Sequence, residues 1–335
     1  IAIRVDAVPE PGGDVFGDYA GMHVGGGYNV LYASRQTGAE TVYAGTMGKG
    51  SFSDIAADGL RVIGVEHVGA TVDKDLGFCV AVTDDTAERT FISTRGAETN
   101  QPLDSFDHLD VTPDDVLYIT GYSLAHEDNR RSLERLAARL GPGACRTVFD
   151  VSPMIGSIPL ECLESIGTLA PMWSVNEREA SILCDRLGLG SFGNDDGELA
   201  AAALSPHLGK VLVRVGRGGA WFAEGDADEK AIHVPTITVD PIDTNGAGDA
   251  HSGVLCGALA LGESLTTALR WANVAGALST TVMGPATCPP ISKIKDLVSA
   301  FLPEAPLWVA VTEKDEPVAF MLLTGEHMDA DRKST

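Results

Sequence analysis

Residues 243–250 read DTNGAGDA, and this stretch decides how the rest of the chain is interpreted. It follows a short apolar run that is typical of a strand, and the residues after it have the apolar spacing of a helix. Glycines at positions 246 and 248 allow a tight turn and leave backbone N–H groups uncovered. Uncovered N–H groups at the start of a helix attract anions. Asp249, at the mouth of this helix, can accept a proton from an alcohol.

A less specific alternative is a glycine-rich turn with a capping Asp, and a G-x-G-D string alone favours that alternative. The full string, however, agrees at six positions with D-T-x-G-A-G-D and so resembles the signature of the ribokinase (PfkB) family of carbohydrate and nucleoside kinases. The resemblance implies ATP-dependent phosphorylation of a hydroxyl group, with Asp249 as the catalytic base. It also implies that N–H groups of Gly246, Ala247 and Gly248 stabilise the transferring phosphoryl group.

Two further motifs follow the order of this family. Gly25, Gly26 and Asn29 resemble its early G-G-x-x-x-N signature, one residue shorter here, which in the family approaches and hydrogen-bonds the sugar. Asn176 and Glu179 match its N-x-x-E motif, which organises Mg²⁺ and the phosphates, with Glu179 expected to reach the metal through water. Without this context, a helix N-cap with an acidic first turn explains the second motif equally well.

Other positions fall beside the family's nucleotide site. Gly216 and Gly218 lie in a turn that resembles the family's G-x-x-G-like run, and Thr244 lies in the signature loop. Asn273 falls where the family packs a helix against adenine. Close helix packing explains the small residues that follow Asn273 at least as well. The resemblance therefore implies that Gly216, Gly218, Thr244 and Asn273 bind the nucleotide.

Several residues have more than one interpretation. Asp150 ends a strand near the expected crevice, where it either touches substrate or metal or caps a turn. His251 occupies a place that is usually aromatic in the family, and we interpret it as a core residue. Arg89, in a hairpin, is interpreted as structural. A Walker A loop is excluded, because Tyr43 stands where that motif needs Gly and Gly50 where it needs Ser or Thr.

Strands alternate with helices along the chain, which predicts an α/β fold with a doubly wound, mostly parallel sheet flanked by helices. Two strand-like runs, 77–83 and 89–94, interrupt this alternation and predict a hairpin. In a ribokinase-like fold this hairpin would belong to a small β-lid that includes about residues 77–100. The resemblance covers about residues 1–290, which we predict to be the kinase domain.

Both ends of the sequence depart from the family. Counting back from Pro9, the substrate-binding Asp of the family's first strand falls just before Ile1, so that strand is expected to be missing here. A non-catalytic protein that binds a sugar or a nucleotide is therefore the alternative function. The presence of Asp249 and of the N-x-x-E motif argues against this alternative.

The last part, residues 291–335, is predicted to be a tail with a helix and a hairpin. Residues 291–330 resemble a fragment of a GNAT acetyltransferase, and runs 307–312 and 318–323 are the expected hairpin strands. The acetyl-CoA-binding loop of that family, R/Q-x-x-G-x-G/A, is absent. The tail is therefore not expected to be a working acetyltransferase.

Composition limits the partners. The formal charge of −23 repels nucleic acid and anionic membrane surfaces, and neither is an expected partner. The six cysteines contain no C-x-x-C pair, which leaves a zinc or redox motif unsupported and fits a reduced, cytoplasmic compartment. The expected partners are ATP, Mg²⁺ and a small sugar or nucleoside. The resemblance also makes two features possible, a K⁺ ion near the signature loop and a homodimer.

Overall fold

The computed structural model describes residues 1–85, 89–225 and 230–302, and after these only three strands between 307 and 329. The strands, in chain order, are β1 Ala2–Arg4, β2 Tyr19–Gly21, β3 Val42–Tyr43, β4 Glu66–His67, β5 Cys79–Thr83, β6 Arg89–Ser93, β7 Val116–Thr120, β8 Arg146–Asp150, β9 Met172–Asn176, β10 Lys210–Arg214, β11 Ala220–Glu224, β12 Ile232–Val234, β13 Leu307–Val311, β14 Pro317–Thr324 and β15 His327–Asp329. The α-helices are α1 Gly27–Gln36, α2 Ser51–Val62, α3 Gly121–Leu124, α4 Glu127–Leu140, α5 Leu160–Gly167, α6 Glu177–Leu187, α7 Gly197–Leu208, α8 Ala247–Ala260, α9 Leu265–Ser279 and α10 Ile291–Phe301.

The largest sheet in the described part of the chain has the order β12-β11-β10-β9-β8-β7. Strands β7 to β10 are parallel, and β11 and β12 continue the sheet antiparallel to their neighbours. Successive residues of β10, Val211, Leu212 and Val213, are completely buried, as expected for a strand with helices on both faces of its sheet. The predicted doubly wound, mostly parallel α/β fold is confirmed.

Helices cover this sheet in two layers. One apolar core joins the sheet to α4, α5, α6 and α7, and includes Trp173 and Leu204. The other joins it to α8, α9 and α10. In this second layer, α8 and α1 approach closely, because a Cβ at Gly253 would lie only 2.3 Å from the Val30 carbonyl oxygen. The glycine therefore lets the first half of α1 pack closely against the middle of α8.

A second sheet forms the lid and has the order β2-β1-β5-β6. The predicted hairpin is confirmed as β5 paired antiparallel with β6, and the lid also includes β1, which is parallel to β5. Glu98 closes the base of the hairpin, since its carboxylate accepts hydrogen bonds from the N–H groups of Gly77 at 2.7 Å and Gly96 at 2.8 Å. The lid tip at 86–88 and the Arg89 side chain lie outside the described residues.

Helix α10 packs against α9 and buries Ile294 and Val298 in the second core. Strands β13 and β14 pair antiparallel, as predicted for the tail hairpin, and β15 extends that sheet. The connecting residues 312–316 lie outside the described part of the chain, and a domain boundary after residue 290 stays a prediction. Across the described helices, none is long and apolar enough to cross a membrane.

Candidate active site

The buried carboxylate of Asp243 helps to hold the loop before α8. One oxygen of Asp243 accepts the N–H of Asn245 at 2.9 Å, and the other accepts the N–H of Gly284 at 3.0 Å. Gly246, which follows, has a left-handed backbone with φ +79° and precedes the first residue of the helix. The loop therefore has a fixed shape that only glycine adopts readily at this position.

The first turn of α8 presents uncovered donors. The N–H groups of Gly246, Gly248 and Asp249 have no hydrogen-bond acceptor within the described ranges. The N–H of Ala247 makes a long bond of 3.3 Å to the Thr244 carbonyl oxygen. Three of the donors at this helix start are therefore available for an anion, and the macrodipole of α8 adds to their attraction.

Replacing Gly246 by Ala is expected to damage this turn. A Cβ there would lie 2.0 Å from the Pro285 carbonyl oxygen, in addition to the strain of a positive φ. Gly262, near the other end of α8, is a matched control, because it has φ +80° and nothing within 4 Å of a Cβ. Gly262→Ala should lower the unfolding free energy by about 1–2 kcal/mol and leave ATP binding intact.

Gly246→Ala should lower the melting temperature further and weaken ATP binding, measured by calorimetry. If the two variants melt alike and bind ATP alike, the loop does not have the tight packing described above.

Asp249 lies within this turn and is bound by the neighbouring helix α1. The Asn29 side chain donates a hydrogen bond from Nδ2 to Oδ2 of Asp249 at 2.8 Å, while Asn29 Oδ1 is buried and has no partner among the described residues. Burial raises the pKa of Asp249 to about 6, with a further increase from Asp150 and an opposing effect of the Asn29 bond. A carboxylate with this pKa is ionised at neutral pH and is still a useful proton acceptor.

The guanidinium of Arg214, which the sequence analysis missed, bridges two carboxylates at the carboxyl ends of β8 and β9. Arg214 ends β10, and its Nη1 lies 3.2 Å from Oδ2 of Asp150, while its Nη2 lies 3.6 Å from Oε2 of Glu179. Nη1 also donates to the Gly248 carbonyl oxygen at 3.4 Å. Burial opposes the charge of Arg214, but Asp150 and Glu179 outweigh burial and raise its pKa.

The predicted N-x-x-E motif forms a capping box at the start of α6. Asn176 Oδ1 accepts the N–H of Glu179 at 2.9 Å, and Glu179 Oε2 accepts the N–H of Asn176 at 2.8 Å. Glu179 is buried, which raises the pKa of its carboxyl, while the charge of Arg214 opposes that increase. Glu179 thus caps the start of α6 and also carries a negative charge beside Arg214 at the carboxyl end of β10.

The remaining predicted site residues make no direct contact with Asp249 in the described part of the chain. Gly26 precedes α1 with φ +58°, and a Cβ at Gly25 would meet open space. Gly216 and Gly218 form a short turn after β10. Asn273 is buried inside α9, where its amide bonds to protein atoms. The structure therefore joins Asn29 directly to Asp249, and joins Glu179 to the same turn through Arg214.

The donor set suits a phosphate group, because N–H groups and a guanidinium converge at the start of α8. A direct protein metal site is not evident: the described residues contain no group of three or more His, Cys, Asp or Glu side chains that could hold an ion. Asp150 and Glu179 bind Arg214 instead. The role of Glu179 in holding Mg²⁺ through water therefore stays a prediction of the family resemblance.

Comparison with known proteins identifies the family of the chain. The sequence profile described as pfkB family carbohydrate kinase matches residues 8–292. The chain is 29% identical over 272 residues to the uncharacterized sugar kinase YegV of Escherichia coli, covering 80% of this chain and 81% of that one. A stretch of 39 residues is 77% identical to the peptidyl-lysine N-acetyltransferase YjaB of Salmonella typhimurium, covering 12% of this chain and 27% of that one.

Solved structures share the fold. The ribokinase of Thermotoga maritima superposes with a TM-score of 0.72 at 21% identity, covering 89% of this chain and 95% of that one. A putative ribokinase II from Escherichia coli, in complex with ATP and Mg²⁺, gives 0.67 at 19% identity, with 90% and 96% covered. A nucleoside kinase of Burkholderia thailandensis in complex with inosine gives 0.67 at 20% identity, with 90% and 93% covered.

Proposed function

Because the chain belongs to the pfkB family of carbohydrate kinases, we propose that it transfers a phosphoryl group from ATP to a hydroxymethyl group of a sugar or nucleoside. The observation that carries this proposal is the position of Asp249. Its carboxylate, bound by Asn29, lies in the same helix turn that presents the uncovered N–H groups. A proton acceptor and a phosphate site are therefore adjacent, as phosphoryl transfer to an alcohol requires.

In the proposed reaction, Asn29 orients the Asp249 carboxylate toward the acceptor hydroxyl. Asp249 takes the hydroxyl proton as the oxygen bonds to the γ-phosphorus, and the bond from that phosphorus to the β–γ bridging oxygen breaks, so that ADP leaves. The N–H groups of Gly246 and Gly248, joined by that of Ala247 if its long bond opens, stabilise the negative charge on the transferring group. Mg²⁺ bound with ATP would neutralise charge on the phosphates. A K⁺ ion near the signature loop remains a prediction of the family resemblance.

Arg214 adds a positive charge to this site. A guanidinium has five N–H donors, and among the described residues the Nη2 group has a single anionic neighbour, Glu179 at 3.6 Å. Its Nη1 already lies against Gly248, a member of the proposed anion site. We therefore assign Arg214 a place beside the transferring phosphoryl group, where it would stabilise the charge that the N–H groups also face.

Turnover is expected to depend on pH through Asp249. The base works only when ionised, and its pKa is raised to about 6, so kcat should be constant above pH 7 and fall tenfold per unit below about pH 6. The measurement is kcat at saturating ATP and acceptor between pH 5 and pH 8.5, with thermal melting at each pH as the control for unfolding. A kcat that stays constant down to pH 5 in folded protein would exclude this carboxyl as the base.

The function itself is tested by a panel of acceptors. ADP release, coupled to an optical readout, is measured with pentoses, hexoses and nucleosides, each with and without Mg²⁺. Acceptor-dependent ADP release in the presence of Mg²⁺ is the expected result. Tight binding of a sugar or nucleoside without any ADP release would instead support the non-catalytic alternative.

A further inference from the structure

A cavity of about 340 Å³ lies between the start of α1 and the loop 283–287 that follows α9. Small-molecule sites in proteins have volumes of about 300–1,000 Å³, so this cavity is large enough for an organic ligand. The side chains that line it are mostly apolar or aromatic, and they include Met22, His23, Val24 and Tyr28 near α1 and Met283 and Pro285 in the loop.

The wall near α1 is anchored to the proposed base. Tyr28 directly precedes Asn29 in the first turn of α1, and the Asn29 side chain donates to Asp249 at 2.8 Å. Tyr28 and Val24 also pack against α2, because a Cβ at Gly59 would lie 3.3 Å from the Tyr28 ring and 3.0 Å from the Val24 side chain. This wall therefore has a fixed position next to the turn that carries Asp249.

The wall formed by the loop 283–287 is anchored to the same turn. One carboxylate oxygen of Asp243 accepts the N–H of Gly284 at 3.0 Å, while the other holds the loop before α8. The Pro285 carbonyl oxygen lies 2.0 Å from the position that a Cβ at Gly246 would take. Both walls thus border the turn of Asp249, and an acceptor whose hydroxyl reaches that carboxylate can extend into the cavity.

Two methionines give the cavity its chemical character. Met22 is 53% exposed and Met283 is 66% exposed, so both thioethers are open to a ligand. Thioethers pack well against aromatic rings but are only weak hydrogen-bond acceptors. A free sugar would exchange hydrogen bonds to water for contacts with these thioethers, at a cost in affinity. A planar ring with apolar faces suits this surface better.

His23 supplies a polar contact at the same cavity. Its Nε2 lies 3.3 Å from the Tyr19 hydroxyl oxygen, and its Nδ1 has no hydrogen-bond partner among the described residues. Nδ1 is therefore free to bond to the edge of a heterocycle. A nucleobase combines the two features that this cavity selects, apolar faces that stack and an edge that forms hydrogen bonds.

We propose that the acceptor is a nucleoside, whose hydroxymethyl group reaches Asp249 while its base occupies the cavity between α1 and the loop 283–287. Met22 and Met283 contact the faces of the base and His23 binds its edge, so these three residues determine the acceptor specificity. The inference rests on the proposed kinase function, since it names the acceptor of that reaction.

The experiment compares acceptors and variants in one assay. ADP release from ATP and Mg²⁺ is measured with inosine, adenosine, uridine and cytidine, and with D-ribose, which has the hydroxymethyl group but no base. Met283→Glu places a charge in the apolar wall, and Met283→Leu keeps that wall apolar. Leu261→Glu is the matched control, because Leu261 is 50% exposed directly after α8 and does not line the cavity. Calorimetry gives Kd for each acceptor and for ATP, and thermal melting verifies folding.

The best nucleoside should have a kcat/KM about 10–100-fold above that of D-ribose, which corresponds to the stacking of one base. Met283→Glu should raise the KM for this nucleoside about tenfold and change kcat, the KM for D-ribose and the Kd for ATP less than about twofold. Met283→Leu and Leu261→Glu should behave like the parent.

D-Ribose used as efficiently as every nucleoside would overturn the nucleoside assignment and leave the proposed kinase function intact. An equal nucleoside KM in folded Met283→Glu and Leu261→Glu would show that the base does not occupy this cavity. If the parent releases no ADP with any acceptor, the proposed function itself fails. In that case, nucleoside Kd values raised by Met283→Glu would still support the pocket, and unchanged Kd values would overturn it.

Discussion

Asp249→Asn is expected to lower turnover by about 10²–10⁴-fold, because the variant keeps the shape of the side chain and loses the proton acceptor. The affinity for ATP should change little, since the N–H groups of the α8 turn are unaltered. Asn29 can still donate to the new carboxamide oxygen, so the local hydrogen bond is retained. Turnover is measured as acceptor-dependent ADP release and ATP affinity by calorimetry.

The same variant is expected to be more stable than the parent at neutral pH. Burial raises the pKa of Asp249 from 3.8 to about 6, so the folded protein favours the protonated carboxyl. The contribution of this group to stability is therefore complete below pH 3.8 and is lost as the pH rises through about 6. At pH 7.5 ionisation of this carboxyl should lower the unfolding free energy of the parent by about 2–3 kcal/mol. The neutral Asn side chain avoids this loss.

Thermal melting of both proteins between pH 4 and pH 8 tests whether the Asn variant is the more stable of the two. The Asn variant should melt above the parent at pH 7.5, and the difference should disappear near pH 4. A variant that melts below the parent at pH 7.5 would show that the ionised carboxylate is stabilised in the fold, and near-parent turnover would remove Asp249 from the role of base.

The second large effect is expected from Arg214→Met. The substitution leaves Asp150 and Glu179 without their shared cation, and removal of one partner from a buried ion pair typically costs about 3–5 kcal/mol. Turnover should also fall, by about 10²–10³-fold, as when one donor to a developing anion is lost. The exposed Arg131, on α4, gives the matched control Arg131→Met, which removes the same charge from the surface.

Urea unfolding and ADP release are measured for both variants and for Arg214→Lys. We expect Arg214→Lys to recover part of the stability, because it restores the positive charge. The recovery should be incomplete, since Lys lacks the planar guanidinium that reaches both carboxylates. If Arg214→Met unfolds at the urea concentration of Arg131→Met and keeps the same turnover, the buried ion pairs do not support the site.

The local motifs of this site could be predicted from sequence because their shape depends on neighbouring residues. The turn at Gly246 needs a left-handed backbone, and the capping box of Asn176 and Glu179 joins residues three apart. The local geometry of each motif can therefore be predicted from a few consecutive residues. The alternation of strands and helices predicted the main sheet for the same reason, since it depends on local periodicity.

Long-range contacts could not be predicted in this way. Arg214 meets its partners only when β8, β9 and β10 align in register, and nothing near position 214 in the sequence indicates this. The inward direction of the Asn273 amide depends on where the chain passes after β12. Gly50 lies so close to Asp75 that a Cβ would come within 2.5 Å of its carboxylate. Asp75 binds the start of α2 through Ser53, a contact that links distant residues.

The central claim is that Asp249 and the turn at the start of α8 transfer a phosphoryl group to an alcohol. The most direct measurement is ³¹P NMR of the best acceptor with ATP and Mg²⁺, using the parent and Asp249→Asn at equal concentrations and verified folding. The account predicts a phosphate monoester and ADP in equal amounts with the parent, and almost none with the variant. Monoester formed equally by both proteins, or ADP and free phosphate without monoester, would contradict it.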